Sequence, residues 1–214
     1  VGIQEFRGLD GRLSHVVLSD GTTLPADVAV VGVGIRPATE LADGSGPDVD
    51  NGIVTDQSLR TSDPDVFACG DVASSYNPLL GRHIRVEHWA NALNGGKAAG
   101  KAMLDQRIVY DRVPYFYSDQ YGSSPGTGME CSGYVEAGAY DRVVFRGDAT
   151  IRSDANPEFI AFWVKDGCVL AGMNVNVWDV QDGIQSLVRA GYAGEAVDLG
   201  RLADPGVPLD VVLS

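Results

Sequence analysis

The chain has 214 residues, a formal net charge of −13 and a hydrophobic fraction of 44%. That length admits one or two domains with chain enough to bury a core. No run of about 18 apolar residues could span a bilayer and no basic segment leads into an apolar signal core, so a soluble cytoplasmic protein with no membrane partner is expected.

The acidity argues against a nucleic-acid partner, because displacing counterions from phosphates needs a basic stripe. It reads instead as a solvated, solubilising surface. Cys69, Cys131 and Cys168 are widely spaced with no CxxC pair, which speaks against a redox disulfide or a structural zinc site. His15, His83 and His88 have no HExxH spacing, so no metal is expected.

Residues 1–34 read as antiparallel strands joined by tight turns. Asp10-Gly11 separates Gly2–Leu9 from Arg12–Leu18, and Asp20-Gly21 begins the return; Asp-Gly is a favoured two-residue hairpin signal. The run Asp27–Val33 is apolar on both faces, as a buried central strand would be. It ends in Gly32-Val33-Gly34-Ile35-Arg36-Pro37, which is no dinucleotide fingerprint, since Pro37 stands where a third glycine belongs. A glycine-bearing strand end lining a ligand cleft remains open there.

A connection rich in Asp and Gly follows, Ala38 to Leu59, with a helical turn expected at Glu40-Leu41-Ala42 and a short strand at Ile53-Val54-Thr55. Next, Asp65–Cys69 reads as a buried strand ending in Gly70-Asp71. A loop and a second short strand, His83–Val86, lead to Glu87-His88-Trp89 at the start of a helix, Trp89–Leu104. Glycine at a strand end lets backbone approach a ligand, and the carboxylate after it can accept bonds from ligand hydroxyls. An aromatic at a helix N-terminus stands where free N–H groups favour electron-rich atoms. Polyol, flat ring and negative charge together suggest a flavin.

Gly95, Gly96 and Gly100 each weaken that helix by roughly 1 kcal/mol relative to Ala, which close packing against a sheet would explain. Gly96-Lys97 is not a phosphate loop, because no Ser or Thr follows Lys97. Arg82, Arg85, Lys97, Lys101, Arg107 and Arg112 make residues 82–112 locally basic: a docking patch for an acidic partner or a solvated face.

After a linker, 105–112, the stretch Val113–Tyr121 is strongly aromatic, and Gly122–Gly128 reads as a loop. Glu130–Val135, Arg142–Gly147, Phe159–Lys165 and Val169–Val175 read as antiparallel strands. Val180, Ile184, Leu187 and Val188 have helical spacing within Trp178–Gly191. The tail suggests a last short helix near Leu199–Asp204 and a Pro-rich turn.

Four motifs in order, DGTTLPADVAVVGVGIRP (20–37), TSDPDVFACGDVA (61–73), RVEHWANA (85–92) and VPYFYSDQY (113–121), carry a resemblance to the C-terminal half of the FAD-dependent NAD(P)H ferredoxin reductases. That group includes putidaredoxin reductase, rubredoxin reductase, the reductases of ring dioxygenases and relatives of apoptosis-inducing factor. The resemblance implies an α/β and α+β fold: partial Rossmann-like FAD and NAD domain segments, then a complete C-terminal α+β domain with an antiparallel sheet. Residues 1–37 fall on the last strands of the NAD-binding domain, 38–108 on the second segment of the FAD-binding domain, and 109–214 on the C-terminal interface domain.

By the same resemblance, Gly34 falls where backbone approaches NAD. Gly70 and Asp71 fall on the FAD-binding turn, with Asp71 holding the ribityl chain. Glu87 and His88 fall beside the nicotinamide–flavin contact, and His88 and Trp89 near the isoalloxazine pyrimidine edge. Tyr117 falls where relatives commonly carry Trp in an FWSD motif, so FYSD keeps an aromatic shield of different size. The implied reaction passes hydride from NAD(P)H to FAD and then single electrons to a ferredoxin-type iron–sulfur protein. Neither GxGxxG unit of the family is in this sequence. A fragment of a reductase is therefore expected, inactive alone and unable to hold FAD by itself, with a structural or docking module as the alternative. A non-enzymatic relative that associates with DNA is disfavoured by the acidity. NADH or NADPH, the ferredoxin, and the oligomeric state, a homodimer included, stay open.

Overall fold

The structure is a computed structural model and describes residues 1–121, 126–150 and 156–213. The chain divides into two units, Val1–Arg36 and Pro37–Ser214.

The first unit is an antiparallel meander. Strands β1 (Ile3–Leu9), β2 (Arg12–Leu18) and β3 (Thr23–Pro25) pair in that order. Asp10 at φ 52° and Gly11 at φ 78° form the first turn, the positive-φ pair that an Asp-Gly hairpin requires. The buried central strand expected at Asp27–Val33 is absent: residues 27–36 form no strand, and Val28, Val30, Val31 and Val33 are exposed. A strand apolar on both faces needs neighbours on both edges and a layer on each side, and a three-stranded meander supplies neither.

In the second unit, residues 39–45 form a run of turns in which Ala42 N and Asp43 N bond Thr39 O, in keeping with the expected helical turn. A small mixed sheet follows: β4 (Ile53–Thr55) runs parallel to β5 (Ala73–Asn77), which pairs antiparallel with β6 (Arg82–Ile84). The strand expected at Asp65–Cys69 reduces to a single bridge between Arg60 and Phe67. Pro64 and the Asp63 side chain, which accepts from Asp65 N at 3.0 Å, hold the preceding residues in a turn. Helix α1 spans Trp89–Ala102.

The five-stranded antiparallel sheet has the order β7 (Tyr115–Gln120), β8 (Thr127–Gly133), β11 (Cys168–Val175), β10 (Glu158–Lys165), β9 (Arg142–Asp148). The loop expected at 122–128 lies outside the described residues as far as residue 125. Helix α2 (Gln181–Tyr192) covers one face of this sheet. Its Ile184, Leu187 and Val188 are fully buried with Phe162, Val164 and Val169; the i, i+3, i+4 spacing puts all three on one stripe. Gly191 allows the closest approach, since a Cβ there would sit 2.0 Å from Val169 O.

Helix α3 (Leu199–Ala203) is capped by the Asp198 side chain, which accepts from Arg201 N at 3.0 Å. Buried Arg146 then anchors the tail by donating to the carbonyls of Leu202, Pro205 and Val207. Among the described residues, no helix is long and apolar enough to cross a membrane, and no group of three or more His, Cys, Asp or Glu is placed to hold a metal ion.

Candidate cofactor site

The site is built where β5, β6, α1 and the edge strand β7 meet. Gly70–Val72 is one turn of 3-10 helix; Gly70 is buried at φ 75°, and Asp71 is exposed. Gly70 faces the second turn of α1, where a Cβ added to it would lie 3.5 Å from Ala92 Cβ. Gly95, one turn on, would place a Cβ 3.4 Å from Cys69 Cβ and 3.6 Å from Gly70 N. Close packing thus explains Gly95, but Gly96 and Gly100 face open space.

His88 is the N-cap of α1, with extended backbone at φ −121° and ψ 142°, and no side chain caps the helix. The first turn carries no acidic residue. Its N–H groups and the positive end of the helix dipole are therefore available to an electron-rich group. Inside the first turns, Asn91 donates to Val86 O at 2.8 Å and accepts from Tyr110 Oη at 3.0 Å, locking the helix start onto the chain that precedes it.

Edge strand β7 presents its two faces differently. Phe116 packs its ring 4.8 Å from that of His88. Tyr115 and Tyr117 lie on the opposite face by strand alternation; there Tyr115 lines a cavity of about 330 Å³ together with Trp89, Asn91, Asn94 and Glu130. Trp89 is 70% and Tyr117 53% exposed, leaving two aromatic rings uncovered near the helix start and strand edge.

A polar cluster borders the cavity through Tyr115, Glu130 and Gln181. Tyr115 Oη donates to Glu130 Oε1 at 2.6 Å, and buried Asn174 donates to Glu130 Oε2 at 3.0 Å. Gln181 donates to Asn174 and accepts from Ser132 Oγ. Burial, with Glu130 as hydrogen-bond acceptor, pushes the Tyr115 hydroxyl up to about 12.

Of the residues singled out from sequence, the structure brings Gly70, Asp71, Glu87, His88 and Trp89 together: Asp71 and Glu87 both act electrostatically on His88. Tyr117 lies on β7 directly opposite Glu130, and Gly34 lies in the first unit at φ 92°. The basic stretch is less free than its composition suggests. Arg82 pairs with Glu136 at 2.9 Å and lies over the Tyr134 ring, and Arg85 pairs with Glu87. Lys97, Lys101 and Arg107 remain exposed. Sequence reading missed Arg85, Phe116, Tyr115 and Glu130 as parts of the site. The i, i+2 spacing of Arg85 and Glu87 on extended chain was a usable signal; nothing local marked Glu130.

Residues 1–96 match the pyridine nucleotide-disulphide oxidoreductase family. The chain is 37% identical over 199 residues to the ferredoxin–NAD(+) reductase component of the anthranilate 1,2-dioxygenase system of Burkholderia cepacia, covering 92% of this chain and 46% of that protein. It superposes on a ferredoxin reductase from Rhodopseudomonas palustris with a TM-score of 0.83 at 30% identity, covering 99% of this chain and 50% of that one. The chain is similar to ferredoxin reductases over nearly its whole length.

A third comparison agrees: putidaredoxin reductase in its covalent complex with putidaredoxin matches at a TM-score of 0.79 and 31% identity, over 99% of this chain and 48% of that one. The chain spans about half the length of the relatives it matches. Its mixed α/β architecture, with a C-terminal antiparallel sheet, is theirs over that half.

Proposed function

We propose that this chain is part of an FAD-dependent NAD(P)H ferredoxin reductase, supplying one wall of the flavin cleft and the C-terminal interface domain. The observation that carries the reading is the convergence of Asp71, Glu87, His88 and Trp89 on the uncapped start of α1. The identity to ferredoxin reductases over nearly the whole chain supports it.

The residues fit a flavin. Exposed Asp71, on a glycine turn packed against α1, can accept bonds from a polyol. The first-turn N–H groups of α1 can donate to an electron-rich ring edge, and exposed Trp89 and Tyr117 can cover a flat ring and exclude water. FAD, when bound, takes up hydride and releases electrons one at a time; the protein's part is orientation and electrostatics. Gly34 is assigned to the approach of NAD(P)H, and Glu87 and His88 to the nicotinamide side. Residues 38–108 are assigned to the second FAD-domain segment and 109–214 to the interface domain. The partner is a ferredoxin-type iron–sulfur protein, docking near exposed Lys97 and Lys101, in the cytoplasm.

The sequence holds neither GxGxxG loop, and those loops are the main phosphate-binding sites for both cofactors. The test is therefore made in two forms. The full-length protein should carry a visible flavin band that NADH or NADPH bleaches and a ferredoxin restores. This chain alone should purify colourless. A full-length protein that neither retains FAD nor oxidises either nucleotide would refute the reading.

A further inference from the structure

Two separate segments of the chain, at Gly52 and at Asp71, and the nearby Glu87 converge on the side chain of Arg85. Its Nη1 donates to Asp71 O at 3.3 Å and also to Glu87 Oε1. Its stem lies against Gly52, where an added Cβ would meet Arg85 Cδ at 2.9 Å and Val72 O at 2.6 Å. The pairing is not a loose surface contact: the Arg85 side chain is 12% exposed, against 38% for Glu87. Exposed pairs hold little energy because water screens them and both side chains must be ordered. A mostly buried guanidinium bonded to a carboxylate and a backbone carbonyl is held far more firmly.

We propose that Arg85 is a positioning residue for the nicotinamide side of the site, fixing the Glu87 carboxylate and the Asp71-bearing turn relative to each other. This rests on the flavoprotein reading above. Both bonds leave from one nitrogen, Nη1, while Nε is buried without a partner. The fork geometry that makes Arg irreplaceable at bidentate sites is therefore unused, and a lysine ammonium, with its three donors, can serve both acceptors. Methionine keeps the stem and loses the donors.

A double-mutant cycle separates positioning from packing. In the flavin-loaded full-length protein, Arg85→Met should lower kcat/KM for the nicotinamide nucleotide by about tenfold, the scale of a lost charged hydrogen bond, with flavin content and Tm close to wild type. Arg85→Lys should recover most of that loss. Arg85→Met/Glu87→Gln should be no worse than the poorer single variant. Multiplicative losses in the double variant, or equal loss in the Lys and Met variants, would overturn the proposal.

A second readout needs no turnover. His88 is faced by Asp71 from the turn, by its neighbour Glu87, and by the Phe116 ring from β7. Removing the Arg85 charge leaves Glu87 uncompensated beside it. The histidine NMR titration of His88 should move to higher pH in Arg85→Met and return in Arg85→Met/Glu87→Gln. An unmoved titration overturns the proposal even if wild-type protein proves inactive, whereas inactivity with the expected NMR shifts overturns only the flavoprotein reading.

Discussion

The ring of His88 lies against the ring of Phe116, centroids 4.8 Å apart and planes tilted by 41°. This contact joins the residue that begins α1 to the edge strand of the larger sheet. One ring nitrogen is shielded from water: Nδ1 is buried with no hydrogen-bond partner, although the residue as a whole is half-buried. Desolvation lowers the His88 pKa below its ordinary value, opposed by the charges of Asp71 and Glu87.

That shift has a sign in stability. The unfolded chain binds a proton at His88 at a higher pH than the folded chain does, so stability rises with pH through this window. The contribution is fully present above the unfolded histidine pKa, near 6.5, and is lost as pH falls through the lower folded value. Thermal unfolding of wild type and His88→Gln between about pH 7.5 and pH 5 should show a smaller acid loss in the variant. Parallel curves would contradict the assignment.

Tyr115 behaves in the opposite sense. Its hydroxyl, pushed up to about 12 by burial and by its bond to Glu130, stays neutral in the folded protein after an unfolded tyrosine ionises. Its contribution is present below about pH 10 and is lost as pH rises through the folded value. Burial raises Tyr110 and Tyr192 as well, so ultraviolet titration should show several late phenolates, and Tyr115→Phe should remove one of them. The same variant leaves Glu130 one donor short, at a cost of about 1–3 kcal/mol in urea unfolding.

Glycines in the two long helices separate packing from propensity. Gly96→Ala and Gly100→Ala face open space and should each stabilise the chain by about 0.5–1 kcal/mol. Gly191→Ala drives a Cβ to 2.0 Å from Val169 O and should destabilise it by about 1–3 kcal/mol or more. Urea midpoints of the three variants check both signs.

Local chemistry was legible in the sequence: the Asp-Gly hairpin turn, the α1 start, the α2 stripe of Ile184, Leu187 and Val188, and the individual motifs that carry the resemblance. These depend on neighbours within a few residues, so turn preference and periodicity report them directly. What the chain does at Asp27–Val33 and Asp65–Cys69 was not legible, because strand formation needs an edge to pair with and a layer to pack on, and apolar content alone supplies neither. Only the tertiary structure decided that Arg85 is drawn inward by Asp71 and Glu87 rather than joining a basic patch. It also decided that Tyr115, not one of the residues singled out from sequence, shares a cavity with Trp89. Hydrogen bonds and desolvation act through space, and they join Arg85 to Asp71 and Tyr115 to Glu130 across more than a dozen residues of chain. The opening of α1 beside Asp71 was visible as a pattern; the contact of His88 with Phe116 and the tie of Asp71 to Arg85 were not.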